Sequence, residues 1–274
     1  MVVHQHRRAA WAAAVAVVAT GGLAGCGEAD GADARPAGSV ADGTAAVRSA
    51  ADVLAEAGSA RARTAMEMAA GGTRVTIRGE GGVDFAGRLG QLVVLLPADA
   101  AGKSEHRPIT ELLAPGALYM KNRGAGVPED KWVRVDTTTL SDGNLVTGGA
   151  TDPIVAVELL RSAEGVVFVG EEDLSGTKVR HYRGTADLGR AAAAAPEHVK
   201  GALTAAAKGF AKDAVPFDAY LDEEGRLRKV RHRFSYVNQG VIDVSSTTLL
   251  YGFGTPVSVV LPESRDIYAG RIAQ

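Results

Sequence analysis

The sequence predicts an α+β protein in which a strongly curved antiparallel sheet, a half-barrel, wraps around helices. Many short segments alternate apolar and polar residues with the two-residue period of strands, whereas only a few segments have helical spacing. Few sharp breaks interrupt the strand-like segments, as expected for one curved sheet. No internal repeat is evident. The pattern therefore indicates roughly nine or ten strands with a few helices laid against one face.

Helical spacing occurs in three places. The first helix begins near Thr44, a plausible N-cap, and ends at Gly58. The second begins at Asp152-Pro153, where aspartate caps the helix and proline takes its first position. The third covers residues 196–210, with apolar residues along one side.

Alternation or apolar runs bounded by turn residues predict the strands. The predicted strands cover residues 74–78, 83–85, 92–96, 118–121, 132–136, 166–171, 177–185, 215–221, 226–236, 241–251 and 256–261. The glycine-rich Gly79–Gly82 stretch lies between two of them and opens no helix. It is therefore predicted to be a hairpin turn and not a phosphate-binding loop.

The N-terminal 25 residues have the pattern of a secretory signal peptide. Arg7 and Arg8 form a charged region, residues 9–20 are small and apolar, and Leu23-Ala24-Gly25 resembles a cleavage site. The apolar stretch, at about a dozen residues, is too short to span a ~30 Å hydrocarbon core. We predict a signal peptide over residues 1–25, a disordered tether over 26–43, which offers almost nothing to bury, and a folded domain over 44–274.

Cys26 is the single cysteine of the chain and directly follows the predicted cleavage site. A buried inert thiol is a poor explanation, because Gly25, Gly27 and Glu28 surround it. A lone cysteine after an ordinary signal peptide is the other alternative. The segment resembles the lipobox of bacterial lipoproteins. That resemblance implies cleavage before Cys26, a covalent diacylglycerol at its thiol with palmitate-type acylation, and a lipid-anchored protein at the extracytoplasmic face of the cell membrane.

Composition excludes some classes of function. The formal net charge is −2, from 30 basic and 32 acidic residues, with no long run of either sign. This argues against nucleic-acid binding, which needs a basic patch or stripe. With one cysteine, no intramolecular disulfide can form.

We find no catalytic or metal-binding motif in the sequence. His106, His181, His198 and His232 are scattered singly, without a partner at metal-ligand spacing, and no Gly-x-Ser-x-Gly motif occurs. We therefore predict that the protein is not an enzyme, that it has no catalytic or metal site, and that it has no cofactor apart from the diacylglycerol at Cys26.

The apolar residues of the alternating strands are the candidate lining of an interior cavity. They are Val75, Ile77, Val83, Phe85, Leu118, Met120, Val133, Val135, Phe217 and Phe234. Each of them can equally be ordinary core, and the sequence leaves open whether the helices fill the concave side. A separate basic face on one strand, Lys229, Arg231 and Arg233, either contacts anionic lipid head groups or is simply a solvated outer face.

Three further segments resemble a known family. His181–Leu188, Val215–Phe217 with the following Leu221–Leu227, and Tyr251–Val257 are similar in order and spacing to motifs of actinobacterial LppX/LprAFG-type lipoproteins, whose fold is related to the carriers LolA and LolB. The resemblance covers residues 44–262 and the lipobox.

The resemblance implies a half-barrel around an apolar cavity that binds an acylated lipid or glycolipid, for transfer or presentation in the envelope. It implies a monomer attached to the outer leaflet of the cytoplasmic membrane, with a lipid exporter as a candidate partner. The alternative is an envelope sensor or interaction module that binds a partner protein through the same half-barrel.

Overall fold

The structure, a computed structural model, describes residues 40–70, 73–97, 107–124, 126–146, 151–237 and 241–270. The predicted signal peptide, the lipidation residue Cys26 and residues 26–39 of the predicted tether lie outside the described residues. The first helix begins at Val40, within the last part of the predicted tether.

Within the described residues, eleven strands form one antiparallel sheet, and five short α-helices accompany it. The strands are β1 (Ser59–Ala70), β2 (Thr73–Asp84), β3 (Leu89–Leu95), β4 (Ile109–Ala114), β5 (Ala117–Lys121), β6 (Trp132–Asp136), β7 (Glu164–Leu174), β8 (Thr177–Asp187), β9 (Ala214–Leu221), β10 (Leu227–Val237) and β11 (Val241–Tyr251). The helices are α1 (Val40–Arg48), α2 (Ala50–Ala57), α3 (Pro153–Glu158), α4 (Leu188–Ala194) and α5 (Glu197–Gly209). A 3₁₀ turn, Leu159–Ser162, directly follows α3.

The strand order is β6-β5-β4-β3-β2-β1-β11-β10-β9-β8-β7, so β6 and β7 are the two edges. The first and last strands pair at the centre, from Arg61 opposite Tyr251 to Ala69 opposite Asp243. That pairing joins two runs of consecutive strands into one half-barrel that does not close. The predicted fold class is confirmed.

The sheet has an inner face, which the helices cover, and an outer face. On β1, Ala60, Ala62 and Met66 point inward and are buried, while Arg61 and Arg63 alternate with them and are exposed. The same alternation continues through the paired strands, and the inward residues of both halves of the sheet belong to one apolar cluster. This cluster is the core of the domain.

Local signals in the sequence set the ends of two helices as predicted. The Asp152 carboxylate accepts hydrogen bonds from the backbone N–H groups of Ile154 (2.8 Å) and Val155 (3.3 Å), which caps α3. Gly58 follows α2 with φ +79°, in the left-handed region that glycine tolerates. The Arg161 guanidinium holds the two helical segments together, since it donates to Asp52 of α2 at 2.7 and 3.0 Å and pairs with Glu158 of α3.

Two predictions about the strands are wrong. Gly79–Gly82 lies inside the continuous strand β2 and is not a hairpin turn. A Cβ on Gly81 would stand 1.9 Å from the Gln91 carbonyl oxygen, so glycine here allows two backbones to approach closely. Residues 256–261 are not a strand but an irregular segment, whose Val257 packs against Gly82 on the outer face of the sheet.

Candidate functional site

The ten predicted lining residues lie together on the inner side of the sheet. Eight of them are buried, and Val75 and Val135 are partly buried and pack against the same apolar cluster. Three fully buried leucines cover this surface: Leu54 of α2, Leu160 of the 3₁₀ turn after α3, and Leu203 of α5. The residues therefore form one apolar interior, and their contact with a ligand stays a prediction.

Buried polar residues interrupt this apolar interior, and we call six of them the interior polar belt. They are Thr64, Glu111, Asn144, His232, Ser246 and Thr248, each between 0% and 4% exposed. Thr64 lies opposite Thr248, and Ser246 lies opposite His232, in the sheet register. Thr151, just before α3, contacts the Ser246 hydroxyl through its own hydroxyl and donates to the Leu145 carbonyl at 3.1 Å. The belt thus runs from the centre of the sheet to the segment before α3.

Glu111 is the most unusual member of the belt. It lies on the inner face of β4, opposite the buried residues Leu92 and Met120, and its side chain is fully buried. Neither carboxyl oxygen has a hydrogen-bond partner among the described residues. Burial raises the pKa of Glu111 to about 8, Asp152 acts in the same direction, and Arg123 offsets only part of the shift. The carboxyl group is therefore mostly protonated at pH 7.

Asn144 belongs to a loop that packs tightly against α5. A Cβ on the neighbouring Gly143 would stand 2.0 Å from the Ala202 carbonyl oxygen. Asn144 itself has φ +67°, and its backbone carbonyl accepts from the Asp152 N–H at 3.4 Å. Its amide nitrogen and oxygen both lack a partner in the part of the chain that the structure describes. The loop therefore places the Asn144 amide group in the interior without a hydrogen bond to another described residue.

His232 lies between aromatic rings on the inner face of β10. Its ring centroid is 5.7 Å from that of Phe234 and 6.4 Å from that of Phe217. Burial lowers the pKa of His232 to about 3, so the imidazole is neutral at physiological pH. Its Nε2 has no hydrogen-bond partner among the described residues.

A second polar cluster lies on the outer face around Asp218 of β9. One of its carboxylate oxygens lies 2.9 Å from both His181 Nε2 and Arg183 Nε, and the other accepts from Arg233 Nη2 at 2.6 Å. Burial raises the pKa of Asp218, but the three donors outweigh this effect and hold it below its usual range. His181 also lies 2.9 Å from a Glu172 oxygen, through Nδ1, and stacks on the Tyr220 ring. The cluster ties β8, β9 and β10 together.

The basic face of β10 lies on the outer side of the sheet and is largely paired. Arg233 binds Asp218, Arg231 donates to the Ser245 hydroxyl at 2.6 Å, and Lys229 lies over the Tyr220 ring at 4.6 Å. Arg231 and Arg233 border a cleft of about 520 Å³. Glu67 and Asp243 share that cleft with Arg74 and Lys212, so both signs of charge line it.

The histidines do not form a catalytic arrangement with a serine and an acid among the contacts of the described residues. His181 has two acidic neighbours but a tyrosine ring beside it, and His232 has Ser246 opposite it and aromatic rings around it. No group of three His, Cys, Asp or Glu side chains in the described ranges is arranged to hold a metal ion.

Known proteins offer few points of comparison. No protein-family model and no curated protein sequence matches the chain. Among solved structures, it is similar to lipoprotein LppX of Mycobacterium tuberculosis, with 13% identity, a TM-score of 0.48, and coverage of 81% of this chain and 100% of the other. LprF of Mycobacterium bovis has 13% identity and a TM-score of 0.40, with 81% and 97% covered. The MucA/MucB complex of Pseudomonas aeruginosa has 14% identity and a TM-score of 0.31, with 83% and 63% covered. At these values the likenesses carry no inference about what this chain binds.

No helix within the described ranges is long and apolar enough to cross a membrane.

The interior polar belt was not anticipated from the sequence. The sequence gives a hint only for Glu111. It shares one face of β4 with the apolar residues Ile109 and Leu113, two positions away on either side. Thr64 and Thr248 carry no such signal, since threonine is common on either face of a strand. Only the pairing of β1 with β11 brings these two residues together.

Proposed function

We propose that this chain is a membrane-anchored extracytoplasmic lipoprotein whose half-barrel binds an acylated lipid or glycolipid, for transfer or presentation in the cell envelope. The observation that carries the proposal is the continuous apolar interior under an open sheet. Acyl chains bind to such a surface by burial alone, at roughly 25 cal/mol per Å² removed from water. No reacting side chain is needed, and the proposal assigns none.

The anchor is the second part of the proposal and rests on the sequence around Cys26. A diacylglycerol at Cys26 would hold the domain at the outer leaflet of the cytoplasmic membrane. Residues 26–39, even fully extended at about 3.3–3.6 Å each, would keep the first helix within roughly 50 Å of the bilayer. The domain would thus work beside its source of lipid, with a lipid exporter as a candidate partner.

Co-purification tests the lipid-binding proposal. A Cys26→Ala protein, purified from membrane-containing cells, is examined by native mass spectrometry and by lipid extraction. We expect one non-covalent lipid per protein molecule, because the apolar interior retains an acyl ligand without the anchor. A ligand-free mass from several hosts would contradict the proposal.

Two further substitutions in the Cys26→Ala protein locate the bound lipid. Ala219→Leu adds bulk to the inner face of β9, where Ala219 is fully buried, and should lower the lipid content. Gln91→Leu adds an apolar side chain to the exposed outer face of β3 and should leave the lipid content unchanged. Equal lipid content in the two proteins would place the lipid outside the interior.

An interaction module that binds a partner protein is the second candidate function. It is favoured by Val167, Phe168 and Val169, which are 44–48% exposed on the edge strand β7. An exposed apolar edge is a surface on which a partner strand can add to a sheet. A ligand-free half-barrel that captures a specific envelope protein through this edge would support the second candidate over the first.

A further inference from the structure

The interior polar belt leaves hydrogen-bonding capacity unused deep inside the domain. Thr64 Oγ1, Thr248 Oγ1, His232 Nε2, both oxygens of Glu111 and both polar side-chain atoms of Asn144 have no partner among the described residues. Buried polar groups of native proteins are normally paired, because an unmade hydrogen bond in the interior costs free energy. Several such groups on the inner side of the sheet are therefore free to form hydrogen bonds with a polar group of a bound ligand.

Five members of the belt, all except Glu111, are connected through contacts or through the sheet register. Thr64 and Thr248 are register partners, and Ser246 lies two residues from Thr248 on the same face of β11. Ser246 contacts Thr151, which adjoins Asp152, and Asp152 both binds the Asn144 carbonyl and acts electrostatically on Glu111. The belt residues of β1, β10 and β11 and Asn144 thus adjoin the segment before α3. Glu111 lies on the same inner face, in line with Leu92, Gly81 and Ala62 across β4 to β1.

The chemistry of the belt selects one kind of ligand group. Hydroxyl groups, an amide and a protonated carboxyl each both donate and accept hydrogen bonds. A hydroxyl group of a ligand also does both, so it can pair with any of them. The belt contains no lysine or arginine. Of the two charged side chains that act on Glu111, Asp152 is buried beside the belt and repels anions, whereas Arg123 lies outside the belt and is only partly buried. A phosphate or free carboxylate group would have to be buried here with no lysine or arginine among the belt residues, which is unfavourable.

We infer that the interior polar belt binds the neutral, hydroxyl-bearing head group of an amphiphile, such as a glycerol or sugar moiety, inside the half-barrel. This inference rests on the proposed lipid-binding function and adds the orientation of the ligand. The polar head lies inside against the belt, and the acyl chain lies along the apolar inner faces of the strands. Neutral head groups are preferred over anionic ones because no belt residue is a lysine or arginine.

A ligand at the belt must replace side chains that pack there in the structure, so its cover has to shift. That cover consists of short segments, namely the loop at residues 140–146, the six-residue helix α3 and the 3₁₀ turn after it. Short segments of this kind open more readily than the long paired strands β1, β10 and β11. A ligand that enters past these short segments does not have to break any strand pairing of the sheet.

The test compares three amphiphiles with the same palmitoyl chain on delipidated Cys26→Ala protein. The probes are monopalmitoylglycerol with a neutral hydroxyl head, palmitoyl lysophosphatidic acid with a phosphate, and methyl palmitate without a donor. Titration calorimetry at pH 7 measures each Kd. We expect monopalmitoylglycerol to bind at least tenfold more tightly than either of the other two.

Substitutions in the belt then separate binding from structure. Thr248→Val keeps the shape of the side chain and removes an unpaired hydroxyl, so it should raise the melting temperature of the empty protein and weaken monopalmitoylglycerol binding severalfold. Glu111→Met should abolish most of the tenfold preference, whereas Glu111→Gln keeps a neutral hydrogen-bonding group and should preserve it. Methyl palmitate affinity should change little in all three variants.

Each outcome decides between the claims. Equal affinities for monopalmitoylglycerol and the other probes, or a preference that survives Thr248→Val and Glu111→Met, would overturn the head-group inference and leave the lipid-binding proposal standing. Absence of binding by all three probes would overturn both.

Discussion

Glu111 illustrates how one residue links burial to pH. Its folded pKa of about 8 lies above the unfolded value of about 4.5, because the interior disfavours the charged form. The folded protein therefore holds a proton that the unfolded chain releases between these two values. Stability from this group is present below pH ~4.5 and is lost as the pH rises toward 8.

We predict that Glu111→Gln flattens the pH dependence of stability. From pH 5 to 8, the free energy of unfolding of the unsubstituted protein should fall relative to the variant by a few kcal/mol, since each pKa unit corresponds to about 1.36 kcal/mol. His232, with its lowered pKa, titrates in both proteins and cancels in the comparison. Asp152, with a pKa raised to about 6 by burial, interacts with Glu111, so its titration cancels only in part.

Urea denaturation of both proteins at several pH values between 5 and 8 measures this difference. Parallel curves for the two proteins would show that Glu111 ionises normally in the folded state.

Asp218 and Glu111 are both buried, but their carboxyl groups differ in ionisation. Asp218 keeps its charge because two arginines and His181 contact it on the outer face. Glu111 has no such contacts in the described part of the chain and is neutralised by a proton instead. The first arrangement ties neighbouring strands together, whereas the second leaves a neutral carboxyl group in the interior.

Among the elements, α5 depends on close contact with the loop at residues 140–146. Gly209, the last residue of α5, lies so near this loop that a Cβ would stand 1.6 Å from the Ser141 carbonyl oxygen. Gly143 makes the reciprocal approach to Ala202. Glycine at both positions lets the helix and the loop backbone pack directly against each other, and this packing positions Asn144.

We predict that Gly209→Ala lowers the free energy of unfolding by about 1–3 kcal/mol, since the added methyl group overlaps backbone atoms that cannot move alone. The matched control is Gly189→Ala in α4, where the nearest atom to a Cβ is the Asp187 carboxylate at 3.4 Å. The control should be neutral or slightly stabilising, by about 0.5–1 kcal/mol, because alanine favours helix. Chemical denaturation compares both variants, and similar losses in the two would refute the packing argument.

Strands differ in how well the sequence predicted them. β6 and β11 were predicted at their observed bounds, because large apolar residues alternate with polar ones in β6 and because turn residues precede β11 in the sequence. β1 was missed, since its inward residues Ala60, Ala62 and Thr64 are small or polar, and alanine is a poor strand former. Its strand conformation comes from pairing with β2 and β11 on both sides, which is information from distant parts of the chain.

At the scale of the whole molecule, the open sheet leaves two edges. β7 is one of them, and it presents Val167, Phe168 and Val169 to solvent, followed by the acidic Glu171 and Glu172. Exposed apolar edges promote strand-to-strand association, and charged residues reduce it. The edge is therefore a surface either for a partner or for unwanted association.

We predict that Val167→Lys with Val169→Lys raises the temperature at which the protein aggregates on heating, because two charges block edge pairing. The free energy of unfolding should change by no more than about 0.5 kcal/mol for each exposed site. The control is Val260→Lys. Val260 lies on the irregular C-terminal segment and is 81% exposed, so this substitution should not affect aggregation. Light scattering during a thermal ramp measures the onset, and an equal effect of the control would show that net charge, not the edge, is responsible.

The sequence by itself determined the α+β class, most strand positions, the N-cap of α3 and the end of α2, because these depend on periodicity and on neighbouring residues. It also carries the prediction about Cys26, which depends on a local motif. Only the tertiary structure decided that Gly79–Gly82 continues a strand, that β1 pairs with β11, and that six polar residues are buried in an apolar interior. Those features depend on contacts between residues far apart in the chain, which no local pattern encodes.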